Sequence, residues 1–151
     1  MVADLNPAAF SVRSCPLLVV KVGSSLLVKP DGGVRREWLE TLVADISSRH
    51  LAGQRIIIVT SGAIALGARR LGFDKGGRAS LADAQASASV GQILLSGIWS
   101  ELLGERKLVA AQMLVTLDDF EERRRYLNIA ATLDRLIGAH AIPVINENDS
   151  V

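Results

Sequence analysis

Four short aliphatic segments alternate with stretches of helical periodicity, and this alternation constrains the fold of the 151-residue chain more than any other feature. Each aliphatic segment has the length of a single strand. The four segments are Leu17–Val22, the "RIIIVTSG" stretch, Lys107–Leu114 and Ala141–Ile145. Strands that alternate with helices predict an α/β fold with a mostly parallel sheet, covered by helices on both faces.

Residue types that start and stop helices set the expected helix boundaries. Gly72 is typical of a helix C-cap after Leu71, and Asp118 or Asp119 is expected to cap the last helix, which ends near Gly138. Pro143 is unusual for a central strand, because proline cannot donate to the hydrogen-bonded ladder. The helices are expected from Glu37 to just before Gly53, from "RIIIVTSG" to Leu71, over Ala79–Leu103, and from Asp118 or Asp119 to Gly138.

Composition excludes several classes of function. Seventeen basic and sixteen acidic residues leave a net charge of +1, which provides no basic surface for nucleic acid or an acidic membrane. Cys15 is the only cysteine, so no internal disulfide can form and a cytoplasmic location is expected. No apolar run reaches the roughly 18 residues of a membrane span. Residues 1–16 lack the features of a secretory signal and are interpreted as a loose lead-in.

Parallel sheets bind ligands beyond the carboxyl ends of their strands, so the residues that follow each strand are expected to form one site. These segments are Lys21–Ser25, Thr60–Gly62, Thr116–Asp119 and Asn146–Ser150.

The first segment has the residues of a phosphate-binding loop. Gly23 allows a phosphate to approach the backbone closely, the amides of Ser24 and Ser25 can donate to its oxygens, and Lys21 would offset its charge. The alternative is an ordinary turn that follows a lysine with an exposed ammonium group. The spacing differs from that of a Walker A motif.

The second and fourth segments suit an amino acid with a free carboxylate and ammonium group. Ser61 and Gly62 lie where a strand passes into a helix, and the amides of a helix N-terminus attract anions; the alternative is that Ser61 is only an N-cap. Asp149 can bind an ammonium group and Asn146 offers an amide, whereas the alternatives are an Asx turn or a metal site. A metal site is not expected, because a divalent cation needs more carboxylates.

Several motifs, in this order and at these spacings, resemble the amino acid kinase family, and in particular its members that phosphorylate L-glutamate. They are "VVKVGSSLL", "IVTSGAIALG", "QASASVGQ", "RRRYLNIAATLDRLI" and "PVINENDSV". The resemblance extends over Leu17–Val151 and implies a three-layer αβα sandwich.

The resemblance also implies a reaction. The γ-phosphoryl group of ATP would pass to the side-chain carboxylate of L-glutamate, which gives glutamyl 5-phosphate in the first step towards proline. Mg²⁺ would bridge the nucleotide phosphates. The residues implied are Lys21 for catalysis, Lys21, Gly23 and Ser24 for the ATP phosphates, and Ser61, Gly62, Asn146 and Asp149 for glutamate.

Finally, the resemblance implies that residues 17–151 form the N-terminal, substrate-binding part of a kinase domain, so that the fold is truncated. The nucleotide-binding half and any PUA domain would lie outside the chain, and the chain alone is expected to be inactive. Proline would be a feedback inhibitor, and the full-length protein a homo-oligomer. Two alternatives stay open: an amino acid kinase with a different acidic substrate, and a non-catalytic module that senses an amino acid.

Overall fold

A computed structural model of the chain describes residues 6–151. Its centre is a four-stranded parallel sheet in the order β1-β2-β4-β3. The strands are β1 (Leu17–Val22), β2 (Arg55–Thr60), β3 (Val109–Val115) and β4 (Ala141–Glu147). The helices are α1 (Ser24–Leu27), α2 (Arg36–Leu51), α3 (Ala63–Leu71), α4 (Leu81–Glu105), α5 (Asp118–Glu121) and α6 (Arg123–Gly138), with 3₁₀ turns at Pro7–Phe10 and Asp74–Gly77.

The helices occupy both faces of the sheet, as predicted. The connections from β1 to β2 and from β2 to β3 run in the same direction along the sheet, so right-handed crossovers place α2 and α4 on one face. The connection from β3 to β4 runs in the opposite direction, and α6 therefore lies on the other face. The main core lies on the α2 and α4 face, where aliphatic side chains surround the buried Trp99. This core contains Val22, Leu39, Val43, Ile46, Ile56, Ile58, Leu95, Leu102, Leu103, Ile142 and Val144.

The fourth strand is longer than predicted and lies inside the sheet. Its polar residues Asn146 and Glu147 pair with the end of β3, so they belong to the strand and not to the loop after it. Pro143 pairs with Ala111 of β3, and the register with β2 begins only at Val144. A central proline is tolerated here because the ladder with β2 starts after it.

The last predicted helix is divided, and neither Asp118 nor Asp119 caps the part that carries the apolar face. Glu122 has an extended backbone (φ −85°, ψ 115°) that separates α5 from α6. Asp119 instead accepts a hydrogen bond from the Thr116 amide at 2.7 Å. Arg125, at the positive end of α6, makes ion pairs with Asp119 and Glu122, which offsets its unfavourable place in the helix dipole.

Helices α3 and α4 cross in close contact, and two glycines make this contact feasible. A β-carbon on Gly67 would overlap the carbonyl oxygen of Ser87, and one on Gly91 would overlap the carbonyl oxygen of Ala63. Gly67 therefore has a packing role that its position inside a helix does not reveal.

The segment before β1 is not a loose lead-in where the structure describes it. The Gln54 side chain donates to the carbonyl oxygens of Phe10 (3.1 Å) and Cys15 (2.6 Å), and Arg49 donates to that of Phe10 at 2.8 Å. Gln54 is buried, so these bonds hold residues 10–15 against the end of α2. No helix within residues 6–151 is long and apolar enough to cross a membrane.

Candidate active site

The carboxyl ends of the four strands meet at one edge of the sheet, and β4 lies at the point where the chain reverses direction. The connections after β2 and β3, on either side of β4, leave the sheet towards opposite faces. Such a reversal opens a crevice in which parallel sheets bind ligands. The four segments predicted to form the site therefore share an edge, with Asn146–Ser150 in its middle.

The loop after β1 has the features expected of a phosphate site. Gly23 precedes the one-turn helix α1, so the amides of Ser24 and Ser25 begin a helix and donate no hydrogen bond to another residue within 6–151. Gly23 has an ordinary φ of −71°, and a β-carbon there would meet nothing within 4 Å. Neither backbone strain nor packing within the described residues requires this glycine, and the space beside it is open.

The loop after β2 lies against the loop after β1. The Ser61 amide donates to the Val22 carbonyl oxygen at 3.1 Å, and a β-carbon on Gly62 would lie 3.7 Å from the α-carbon of Ser24. Gly62 has a φ of +116°, which favours glycine, and it occupies the position before α3. Ser61 is thus not the N-cap of this helix, and that interpretation of Ser61 is wrong.

Lys21 lies one residue before the end of β1. The strand's alternation places it on the face opposite the main core, where its side chain is exposed. It makes no ion pair with an acidic residue in the described part of the chain. An ion pair therefore does not account for this lysine.

The cluster after β4 contains a turn, but the turn uses Asn148 and not Asp149. The Asn148 side chain accepts hydrogen bonds from the backbone amide (3.3 Å) and hydroxyl (2.6 Å) of Ser150, and the backbone amide of Asn148 donates to the Val115 carbonyl oxygen at 2.8 Å. The carboxylate of Asp149 accepts no hydrogen bond from a residue within 6–151, and it is half-buried. The Asx-turn interpretation thus applies to Asn148, and the Asp149 carboxylate remains available for a ligand.

Asn146 is buried and is held by a residue of α4. Its Nδ2 donates to Gln92 Oε1 at 2.7 Å, and its side chain is only 4% exposed. Both residues line a cavity of about 370 Å³ between α4 and the sheet, with Thr60 and Trp99. Trp99 Nε1 donates to Thr60 Oγ1 at 3.2 Å, so α4 also holds the end of β2.

Asp119, in the segment after β3, accepts hydrogen bonds from Thr116 and Arg125. The hydrogen bonds from Thr116, and to a lesser extent the charge of Arg125, lower the pKa of Asp119. Within residues 6–151, no three histidine, cysteine or acidic side chains are grouped so that they would hold a metal ion.

Residues 16–151 match the amino acid kinase family. The chain belongs to this family. Among its relatives, the glutamate 5-kinase of Zymomonas mobilis is 64% identical over 149 residues, which cover 99% of this chain and 38% of that protein. The glutamate 5-kinase of Sphingopyxis alaskensis is 65% identical over 142 residues, or 94% of this chain and 39% of the relative. The chain thus spans about two fifths of the length of these relatives.

In this member of the amino acid kinase family, the residues singled out from the sequence lie at one edge of the sheet. The contact between Gln92 and the Asn146 side chain was missed. Gln92 belongs to "QASASVGQ", and no local pattern indicates that its side-chain amide reaches a residue 54 positions further along the chain.

Proposed function

We propose that this chain forms the amino-acid-binding part of a glutamate 5-kinase, which transfers the γ-phosphoryl group of ATP to the side-chain carboxylate of L-glutamate. The observation that carries this proposal is the identity of 64–65% with relatives of that name over 91–99% of the chain. The arrangement of the strand ends supports it, because a phosphate-binding loop adjoins a loop suited to an amino acid.

In the proposed reaction, Lys21 offsets charge on the phosphoryl group while Gly23 and Ser24 receive the ATP phosphates. The attacking carboxylate of glutamate is already ionised at neutral pH, so the enzyme needs no general base. Catalysis then consists of positioning the two substrates and stabilising charge in the transition state.

The amino acid is held by the loops after β2 and β4. Ser61 and Gly62 bind a carboxylate of glutamate, and Asp149 binds its α-ammonium group. Asn146 contributes its side-chain amide. The unused carboxylate of Asp149 and the contact between the loops after β1 and β2 support this assignment.

The nucleotide phosphates would hold a magnesium ion. The described residues offer no cluster of three metal-ligating side chains, whereas magnesium in phosphoryl-transfer sites commonly binds substrate phosphates and one or two carboxylates. Such an ion would neutralise charge that develops on the phosphates.

Three further properties belong to this proposal. Proline, like glutamate, carries a cationic nitrogen and a carboxylate at its α-carbon, although its nitrogen is a secondary ammonium in the ring, so it would compete for Asp149 and Ser61 as a feedback inhibitor. The full-length protein would be a homo-oligomer, and it would act in the cytoplasm.

The test is a chimeric enzyme in which this chain replaces the matching part of the Zymomonas mobilis relative. Hydroxylamine traps an acyl phosphate as a hydroxamate, so hydroxamate and ADP formation report the reaction directly. We expect turnover with glutamate, and much less with aspartate or N-acetylglutamate. A clear preference for another acidic substrate would favour a different amino acid kinase. Glutamate or proline binding without turnover would favour a sensing module.

The same chimera tests Lys21. We expect Lys21→Met to lower kcat by about 10²–10³-fold, because one preorganised charge contact with the transition state is lost. Lys107→Met is the matched control, since Lys107 precedes β3 at the opposite edge of the sheet. A near-normal kcat for Lys21→Met would remove this residue from the mechanism.

A further inference from the structure

We propose that Gln92 is a positioning residue of the amino-acid site, which holds the side-chain amide of Asn146 in one orientation. The inference rests on the proposed function and adds to it a residue of α4 that lies outside the strand-end loops. Its basis is the 2.7 Å hydrogen bond from Asn146 Nδ2 to Gln92 Oε1.

The orientation of a buried asparagine matters because its amide has two unlike sides. One side accepts hydrogen bonds through Oδ1 and the other donates them through Nδ2, and a half-turn of the amide exchanges the two. In the structure Gln92 presents Oε1, which can only accept, so Nδ2 of Asn146 faces α4.

The orientation leaves Oδ1 of Asn146 available to a ligand. This atom accepts no hydrogen bond from a residue within 6–151, and the polar side-chain atoms that are buried there without a partner are His50 Nδ1 and Ser87 Oγ. Asn146 Oδ1 therefore keeps access to solvent although the residue is 96% buried (4% exposed). An accessible oxygen at the end of β4 suits the ammonium group of an amino acid.

Gln92 is itself held in place by the packing of α4. Its neighbour Gly91 lies directly against the carbonyl oxygen of Ala63, which follows Gly62. Two turns further along α4, Trp99 donates to Thr60 at the end of β2. One helix thus fixes the ends of both β2 and β4, and Gln92 is the point at which it contacts Asn146.

The expected kinetic effect of losing this contact is specific. Gln92→Met keeps the length of the side chain but replaces the amide oxygen by a sulfur that accepts hydrogen bonds only weakly, so the Asn146 amide is no longer held. Binding to glutamate weakens in the ground state and the transition state alike, which raises KM and spares kcat. We expect about a tenfold higher KM for glutamate, a kcat within about twofold of the unmodified value, and an unchanged KM for ATP.

A double-mutant cycle separates positioning from a general structural effect. Because Gln92 acts through Asn146, Gln92→Met should add little to the KM of an Asn146→Ala variant. Gln85→Met is the matched control, because Gln85 is also half-buried on α4 and its side chain makes no hydrogen bond within residues 6–151. An unchanged KM for Gln92→Met, or additive effects of the two substitutions, would overturn the inference.

A second measurement keeps the inference separate from the proposed function. If the unmodified chimera does not phosphorylate glutamate, the proposed function fails, and the contact is then tested in the 151-residue chain by NMR. The side-chain amide hydrogens of Asn146 should exchange slowly in the unmodified chain and in Gln85→Met, and quickly in Gln92→Met. Equal exchange in all three chains would show that Gln92 does not hold this amide.

Discussion

Asp149 is the half-buried acidic residue of the polar cluster at 146–150, and its carboxylate makes no ion pair with a residue within 6–151. Asn148 forms the turn, Ser150 completes it, and the Asp149 carboxylate is left without a hydrogen bond from any described residue. A half-buried carboxylate without a cationic partner among the described residues suits the cationic group of a ligand. The proposed function assigns the α-ammonium of glutamate to it.

Replacing Asp149 by asparagine keeps the shape of the side chain and removes its charge. In the chimera we expect the KM for glutamate to rise by about 10–100-fold with little change in kcat, because hydrogen bonds to charged groups contribute ~1.5–3 kcal/mol and this one forms before and during the reaction. Proline inhibition should weaken in parallel. Steady-state kinetics with glutamate, ATP and Mg²⁺ varied separately measure these effects.

The exposed Asp45 of α2 lies outside the four strand-end segments and provides the control, since Asp45→Asn should leave all kinetic constants unchanged. If the glutamate KM of Asp149→Asn stays within about twofold of the unmodified value, Asp149 does not bind glutamate. Loss of kcat with an altered Mg²⁺ dependence would instead indicate a metal ligand.

At the scale of single elements, α4 connects the core with the proposed site. Its small residues form a packing surface, because Ser87 and Gly91 lie against Gly67 and Ala63 of α3. Two alanines of this helix differ in burial: Ala88 is buried and Ala86 is exposed. Only Ala88→Leu is therefore expected to destabilise the fold.

The glycines of α4 permit a sharper comparison, because one substitution can be made at a crowded and at an open position of the same helix. Gly91→Ala would press a methyl group into the Ala63 carbonyl oxygen, whereas Gly97 has nothing within 4 Å. We expect Gly91→Ala to lower the free energy of unfolding by ~1–3 kcal/mol through overpacking. Gly97→Ala should raise it by up to ~1 kcal/mol through helix propensity.

Urea denaturation of the 151-residue chain measures both changes. Equal effects of the two substitutions would mean that α3 and α4 do not cross as closely as described. Because Gly91 precedes Gln92, Gly91→Ala should also disturb the amide of Asn146, which Gly97→Ala should leave unchanged.

The elements differ in how well the sequence predicts them, and the reason is the range of the interactions that form them. The aliphatic runs and the αL glycine at position 72 are local signals, and β1, β2 and α3 were predicted from them. The extension of β4 through Asn146 and Glu147 depends on pairing with β3, and the break at Glu122 accompanies the bonding of Asp119 to Thr116. Long-range contacts of this kind, like that of Gln92, leave no periodic trace in the sequence.

At the scale of the whole molecule, the two edges of the sheet have different chemistry. The proposed site lies at the carboxyl ends of the strands, whereas the two histidines of the chain lie at the amino ends of the strands. His50, near the end of α2, and His140, just before β4, have ring centroids 6.3 Å apart in an edge-to-face arrangement. They line a cavity of about 810 Å³ with Arg55 and Asp134.

This pair predicts how the stability of the molecule depends on pH. Burial, and secondarily the charge of His140, lower the pKa of His50 in the folded state, and Nδ1 of His50 is buried without a hydrogen-bond partner within residues 6–151. Below the ordinary histidine pKa of about 6.5, the unfolded chain therefore binds a proton more readily than the folded chain. Stability contributed by neutral His50 is complete above that pH and is lost as the pH falls towards the lowered folded-state value.

Unfolding in urea between pH 7.5 and pH 5.5 measures this loss, in a range above most carboxyl titrations. We expect the free energy of unfolding to fall with pH in the unmodified chain and to fall less in His50→Gln. His140→Gln should have an intermediate slope, because it removes the repulsion from His140 but leaves the burial of His50. Neither substitution should change the glutamate KM of the chimera, since both lie at the edge opposite the site. If His50→Gln keeps the full slope, another group is responsible for the acid sensitivity.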